Sequence, residues 1–197
     1  GNLIMNSNSR KLVMTAILSA IASILMFISF SVPFMPFFIK LDISELPALI
    51  AAFAIGPVSG VLVCLVKNLV NVTQTTTAGV GELCNFLLGA SFVIPAGIIY
   101  KYRKNKLGAL LGSVSGAVLM GILSVPINYF ITYPMYQNFL PLEEIIKAYE
   151  EIFSGVNGLL SCLVIFNMPF TIGKGLLCAA ITFLIYKHIS VIIKGKR

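Results

Sequence analysis

The stretch Leu46–Val72, LPALIAAFAIGPVSGVLVCLVKNLVNV, decides the fold. The question is whether it crosses a bilayer once or twice. Gly56-Pro57 interrupts it, and glycine beside proline breaks a helix and allows a tight turn. The charge pattern on either side requires the second reading.

Four further apolar blocks surround this stretch, at roughly 12–32, 83–100, 107–131 and 156–186. Basic residues cluster at Arg10-Lys11, at Lys101, Arg103, Lys104 and Lys106, and from Lys187 to Arg197. Basic flanks of membrane spans stay in the cytoplasm, so an even number of spans must separate each cluster from the next. Blocks 107–131 and 156–186 satisfy this between the second and third clusters. Three blocks lie between the first and second, so one of them is double. The break at Gly56-Pro57 selects 46–72, with its first half beginning near Asp42.

The expected fold is therefore an all-α integral membrane protein with six transmembrane helices and both termini cytoplasmic. Its expected location is the cell membrane, as a multi-pass protein. Residues 1–197 form a single transmembrane domain. Gly1 to Ile4 precede Met5 and read as a tag scar, with the natural start at Met5. The first block is too long for a signal-peptide core and has no clear cleavage site, so it counts as a helix.

Composition agrees. Charged residues make up 11% and mean hydropathy is +0.97, against roughly 25% charged in a soluble domain. One soluble core could not hide so much apolar surface. The net charge of +7 sits in the membrane flanks, which argues against nucleic acid as a partner. Cys64, Cys84, Cys162 and Cys178 all lie in apolar runs and read as small core residues. His188, the one histidine, is expected at the membrane interface, and a zinc site has almost nothing to be built from.

Three loops fall outside: Pro33 to Leu41, Gln74 to Gly81, and Thr132 to about Gly155. The last contains LEEIIKAYEEIF, with Leu142, Ile145, Ile146, Tyr149 and Phe153 at helical spacing. It reads as a short amphipathic helix in the outer loop between helices five and six. The outer side collects the acids Asp42, Glu45, Glu82, Glu143, Glu144, Glu150 and Glu151.

Charge inside a bilayer is costly, at least ~2.5–3.5 kcal/mol for a lysine near a helix centre. Lys174, in PFTIGKGLL, therefore stands out. Lys67-Asn68 end the third helix towards the outside, Glu82 and Asn85 begin the fourth, and Asn128 lies late in the fifth. All fall in the outer half. Lys67 and Glu82 either pair with each other or join Lys174 in a polar pocket open to the outside. Ala16, Ser19, Ala20 and Ser23 form a small-residue stripe on the first helix, which serves internal packing or an external partner. Gly108, Gly112 and Gly116 form another on the fifth, read as internal packing. The chain has no phosphate-binding loop and no nucleophile with a base partner.

These residues resemble a known family. LDISELPALIAAFAIGPVSGVLVCLVKNLVN (Leu41 to Asn71), TTTAGVGELCNFLLGASFVIPAGIIYK (Thr75 to Lys101), INYFITYPMY (Ile127 to Tyr136) and PFTIGKG (Pro169 to Gly175) are similar to the riboflavin-specific substrate-binding (S) components of energy-coupling factor (ECF) vitamin transporters. The resemblance covers most of helices two to six in order. It implies a binding subunit rather than an enzyme, with riboflavin as transported ligand and no cofactor. It implies a site near the outer face, beneath the loop before helix two. It also implies partners, a transmembrane scaffold protein and two ATPase subunits. Ala16 and Ala20 match the family's scaffold-docking motif. Asn128 and Lys174 match polar ligand contacts of the riboflavin binders. The family commonly reads P-F-N-x-x-K-G where this chain has Thr171, and a threonine offers one donor where asparagine offers two.

A flavin ring would need flat apolar walls, which Phe34, Phe37, Phe38, Leu41, Phe86 and Tyr129 could provide. Its hydroxyls and carbonyls would need fixed polar groups, expected from Lys174, Asn128, Asn85, Thr171 and loop backbone. Asp42, Thr77, Gly79 and Glu82 complete the expected binding set. Two alternatives remain at this point: another flavin or vitamin as the ligand, motivated by Thr171, and a membrane-embedded enzyme using Glu82 and Lys67.

Overall fold

The computed structural model describes residues 7–194; residues 1–6, including the expected tag scar, and the last three residues of the basic tail lie outside the described residues. Among the described residues nine α-helical segments form: α1 Ser7–Phe27, α2 Glu45–Ala54, α3 Pro57–Val72, α4 Val80–Tyr102, α5 Lys106–Ile127, α6 Tyr133–Tyr136, α7 Leu142–Glu150, α8 Gly158–Cys162 and α9 Met168–Lys194. Single π-helical turns, Asn128–Thr132 and Leu163–Asn167, join α5 to α6 and α8 to α9 without a break. Among the described residues four continuous rods are long and apolar enough to cross a membrane: Ser7–Phe27, Val80–Tyr102, Lys106–Tyr136 and Leu159–Val191.

The 46–72 block is two helices, as its Gly-Pro pair requires. Gly56 has φ 149°, a conformation that favours glycine, and Pro57 opens α3. The first half is shorter than a full crossing. α2 holds 10 residues, about 15 Å of helix. It is apolar on nearly every side and packs against α1, α3, α4 and α9, so it stands in the middle of the bundle.

The remaining rods close around it. α3 packs on α4, α4 on α5, and α5 on α9. The glycine stripe of α5 makes the α4–α5 approach possible. A methyl group at Gly112 would lie 2.7 Å from the Ala96 carbonyl oxygen, and one at Gly116 would strike that of Phe92. The stripe thus serves internal packing, as expected.

Several boundaries differ from the sequence expectation. The first helix runs Ser7–Phe27, not 12–32. Beyond it, Phe30–Ser31 pairs antiparallel with Lys40–Leu41, so the proline-containing loop expected outside is a small hairpin among otherwise helical elements of the described residues. The rod that begins at Lys106 extends to Tyr136, past the expected loop start at Thr132, because a π turn carries the helix onward. The expected amphipathic helix is α7. Its Ile145 and Tyr149 are buried, while Phe153 lies beyond its end and is exposed.

Buried apolar residues form two clusters. The inner one gathers Leu49, Val63, Phe92, Met120 and Cys178 among others. The outer one gathers Tyr133, Ile145, Tyr149, Leu163 and Phe166, with Phe38 packed on it.

Candidate functional site: a buried polar band

Between the two apolar clusters each central helix carries polar side chains. Along α5 and its extension the order is Met120, then Ser124, Asn128 and Thr132, then Tyr133. Along the last rod it is Phe166, then Thr171 and Lys174, then Cys178. Asp42, Ser44 and Glu45 precede the apolar body of α2. Lys67 and Asn68 lie late in α3, and Glu82 and Asn85 early in α4.

A four-charge cluster forms the centre of this band. Glu45 Oε1 lies 2.9 Å from Lys67 Nζ and 3.4 Å from Lys174 Nζ. Lys67 also donates to Ser44 Oγ at 2.7 Å, and the Ser44 hydroxyl and backbone N–H both donate to Asp42 Oδ1. Lys67 is 0% exposed, Glu45 1% and Lys174 10%. Burying such charges is tolerable only because each meets an opposite one. α4 closes on the cluster at Gly89, where a methyl group would lie 4.0 Å from Glu45 Oε1 and 2.8 Å from Cys64 Sγ.

The pairing corrects two expectations. Lys67 does not pair with Glu82; it pairs with Glu45, one of the acids expected on the outer side. The cause is that Lys67 is fully buried and needs a counter-ion beside it, and α2 supplies one 22 positions earlier. Glu82 has other partners. Its carboxylate accepts from Asn71 Nδ2 at 3.0 Å, Thr75 Oγ1 at 2.9 Å and Thr77 Oγ1 at 3.3 Å. Glu82 and Thr77 thus tie the loop before α4 to the end of α3, with Gly79 at φ 87° as the cap residue. The acid-base pair of the enzyme reading is not assembled.

Three acceptors of the band lack partners among the described residues: Glu45 Oε2, Asn68 Oδ1 and Asn85 Oδ1. A buried acceptor left unpaired costs about 1–3 kcal/mol. All three lie on the helices that carry the polar band, α2, α3 and α4. Lys174 contacts Glu45 with one of its three donor positions, which leaves donor capacity on the same surface.

The aromatic residues divide. Phe38 meets Tyr133 and Tyr149 edge-on, at 6.2 and 5.8 Å between ring centres, within the outer cluster. Leu41 is half-buried in the hairpin, and Phe86 packs on the inner cluster. Phe34 and Phe37 are exposed. Tyr129 lines a separate lateral groove of about 630 Å³ with Phe130, Pro134, Leu142 and Ile146. Sequence reasoning missed Glu45, Asn68's unpaired oxygen and the Tyr133–Tyr149–Asn167 ring. The signal for Glu45 was the buried lysine itself. For Asn167 it was an amide inside an apolar run.

On α1, Ala16 and Ala20 are exposed and line a groove of about 650 Å³ shared with Leu62, Val66 and Val70 of α3. Ser19 and Ser23 of the same stripe are buried and donate to carbonyls one turn back. Ser19 and Ser23 are thus buried and Ala16 and Ala20 open, and all four border the same groove. Among the described residues no group of three His, Cys, Asp or Glu side chains could hold a metal ion.

Apolar rods long enough to cross a membrane, with a charge-paired polar band among their buried residues, define the fold of a membrane protein. Residues 10–186 match the family described as "ECF transporter, substrate-specific component", and the chain belongs to that family, a transporter component and not an enzyme. It is similar to "Riboflavin transporter RibU" of Staphylococcus aureus (strain TCH60), 36% identical over 94% of this chain and 93% of that one. It is similar to "Riboflavin transporter FmnP" of Bacillus subtilis (strain 168), 30% identical over 95% and 96%. A solved structure described as "Structure and mechanism of the S component of a bacterial ECF transporter" superposes with a TM-score of 0.75, at 33% identity over 97% of this chain and all of that one.

Proposed function

We propose that this chain captures riboflavin from outside the cell and holds it in the polar band, as the binding subunit of an ATP-driven vitamin importer. The observation that carries the reading is the trio of unpaired acceptors, Glu45 Oε2, Asn68 Oδ1 and Asn85 Oδ1, beside Lys174 with donors to spare. Riboflavin brings ribityl hydroxyls and a ring N–H to such acceptors, and ring carbonyls to such a donor. The relatives' names support the ligand.

In this reading residues 1–197 form one transmembrane domain in the cell membrane, with both termini cytoplasmic and six crossings. The crossing begun by α2 is completed on the outer side by the chain around Asp42. Lys174, Asn128, Asn85, Thr171 and Asp42 face the ligand. Thr77, Gly79 and Glu82 shape the loop that covers it. Phe38 and Leu41 close it from the hairpin, and Tyr129 flanks it. The open alanine groove, Ala16 and Ala20, receives the scaffold protein, and that scaffold with two ATPase subunits supplies the work. Riboflavin is cargo, not cofactor.

The test is direct. Purified protein is expected to quench the fluorescence of added riboflavin with saturable binding. A folded protein that leaves riboflavin fluorescence unchanged refutes the assignment.

A further inference from the structure

Two lysines meet one carboxylate oxygen, and they do so unequally. Lys67 Nζ donates to Glu45 Oε1 at 2.9 Å, while Lys174 Nζ stands 3.4 Å from the same atom. Lys67 has a second anchor, Ser44 Oγ at 2.7 Å, and Ser44 is tied in turn to Asp42. Beside it, Cys64 of α3 meets α4 at Gly89, where a methyl group would lie 2.8 Å from Cys64 Sγ. Lys67 is fully buried, whereas Lys174 is 10% exposed. The lysine with the shorter contacts is thus the one that nothing from outside can reach. The lysine with the longer contact is the one that keeps an open edge.

The second oxygen, Glu45 Oε2, has no partner among the described residues. In a poorly screened interior an open carboxylate draws in the nearest cation. Without Lys67, Oε1 would lose its shorter contact and Lys174 would be left as the cation beside both oxygens. A two-point ion pair between Glu45 and Lys174 would then occupy the ammonium that the flavin reading gives to the ligand, and a ligand carbonyl would have to break that pair to reach it. We propose that Lys67 is a positioning residue: by occupying Glu45 Oε1 from the α3 side it stops Lys174 from closing onto Glu45, and so keeps the Lys174 ammonium available to the ligand. The inference rests on the flavin reading above and adds to it a residue that acts without touching the ligand.

Riboflavin affinity of the full chain in detergent, read by fluorescence quenching, would be measured in wild type, K67M, K174A, K67M/K174A, E45Q and E45Q/K67M. Methionine replaces the lysine stem with a flexible apolar chain and removes the charge. K67M should weaken riboflavin about tenfold, the scale of one hydrogen bond to a charged group. The loss should vanish where either end of the proposed capture is missing. K67M/K174A should bind within about twofold of K174A, and E45Q/K67M no more than about twofold weaker than E45Q, the usual margin for independent changes. A merely structural Lys67 would lower affinity by the same factor in all three backgrounds, and a loss that persists beside K174A or E45Q overturns the proposal. If K67M does not fold, the pair E45Q and E45Q/K67M decides: matching affinities support the proposal, and a weaker double variant overturns it. A wild type that binds no riboflavin overturns the flavin reading and this inference with it. A wild type that binds riboflavin, with a K67M that binds it as tightly, overturns the inference alone.

Discussion

The hydroxyls of Tyr133 and Tyr149 lie 2.6 Å apart, and through them the amphipathic helix α7 is fastened to the end of the α5–α6 rod. The contact is one side of a closed ring. Tyr149 donates to Asn167 Oδ1 at 2.6 Å, Asn167 Nδ2 donates to Tyr133 at 3.1 Å, and Tyr133 completes the circuit by donating to Tyr149. Burial pushes the Tyr149 phenol far up, so the ring stays uncharged. Phe38 rests against both tyrosines, which couples the hairpin before α2 to the same fastening.

Tyr149→Phe removes one donor and leaves the Asn167 carbonyl and the Tyr133 hydroxyl short of a partner. Each buried group so stranded costs about 1–3 kcal/mol. The variant should melt at lower temperature in detergent, and amides of residues 142–156 should exchange faster. An unchanged melting curve would remove the ring from the stabilising contacts.

Lys174→Ala should weaken riboflavin binding by about tenfold or more, in line with the 1.5–3 kcal/mol typical of a hydrogen bond to a charged group. It also leaves Glu45 with Lys67 as its sole direct counter-charge. Isothermal titration or fluorescence quenching reads the effect directly, and wild-type affinity in this variant would exclude Lys174 from the site.

Glu82→Ala frees Asn71, Thr75 and Thr77 at once, because all three donate to that carboxylate. The segment 73–81 should then exchange its amides faster, and riboflavin should leave faster than from wild type. Stopped-flow dissociation checks the second point; a normal release rate with a loosened loop would show that the loop does not retain the ligand.

Ala16→Phe and Ala20→Phe fill the groove between α1 and α3 without touching the polar band. Riboflavin binding by the isolated chain should stay near wild type, while uptake into vesicles reconstituted with scaffold and ATPases should fall sharply. Uptake by the chain alone, or full uptake by both variants, would contradict the proposed docking face.

The features legible in the sequence are those that depend on near neighbours in the chain. Gly56-Pro57 announces a break wherever it occurs, and the spacing of Ile145 and Tyr149 announces one buried helix face. Lys174 stands out against its apolar surroundings. What stayed hidden depends on distant partners. Nothing near Glu45 in sequence says that its counter-ions lie at 67 and 174. The shortness of α2 follows from its central place among four other helices, and an apolar run reads the same whether lipid or protein surrounds it. The hairpin at Phe30–Leu41 rests on two paired residues per strand, too few to leave an alternating pattern.

The π turns at Asn128–Thr132 and Leu163–Asn167 each fit one extra residue into a helix that otherwise keeps the 3.6-residue period. Deleting one residue from the plain α-helical part of α5 would swing Tyr133 by about 100° around the axis, away from Tyr149 and Asn167. The outer ends of the two longest rods are thus timed against each other by residue count. Evolution can exchange side chains along them freely, but an insertion or deletion on one rod would have to be answered on the other.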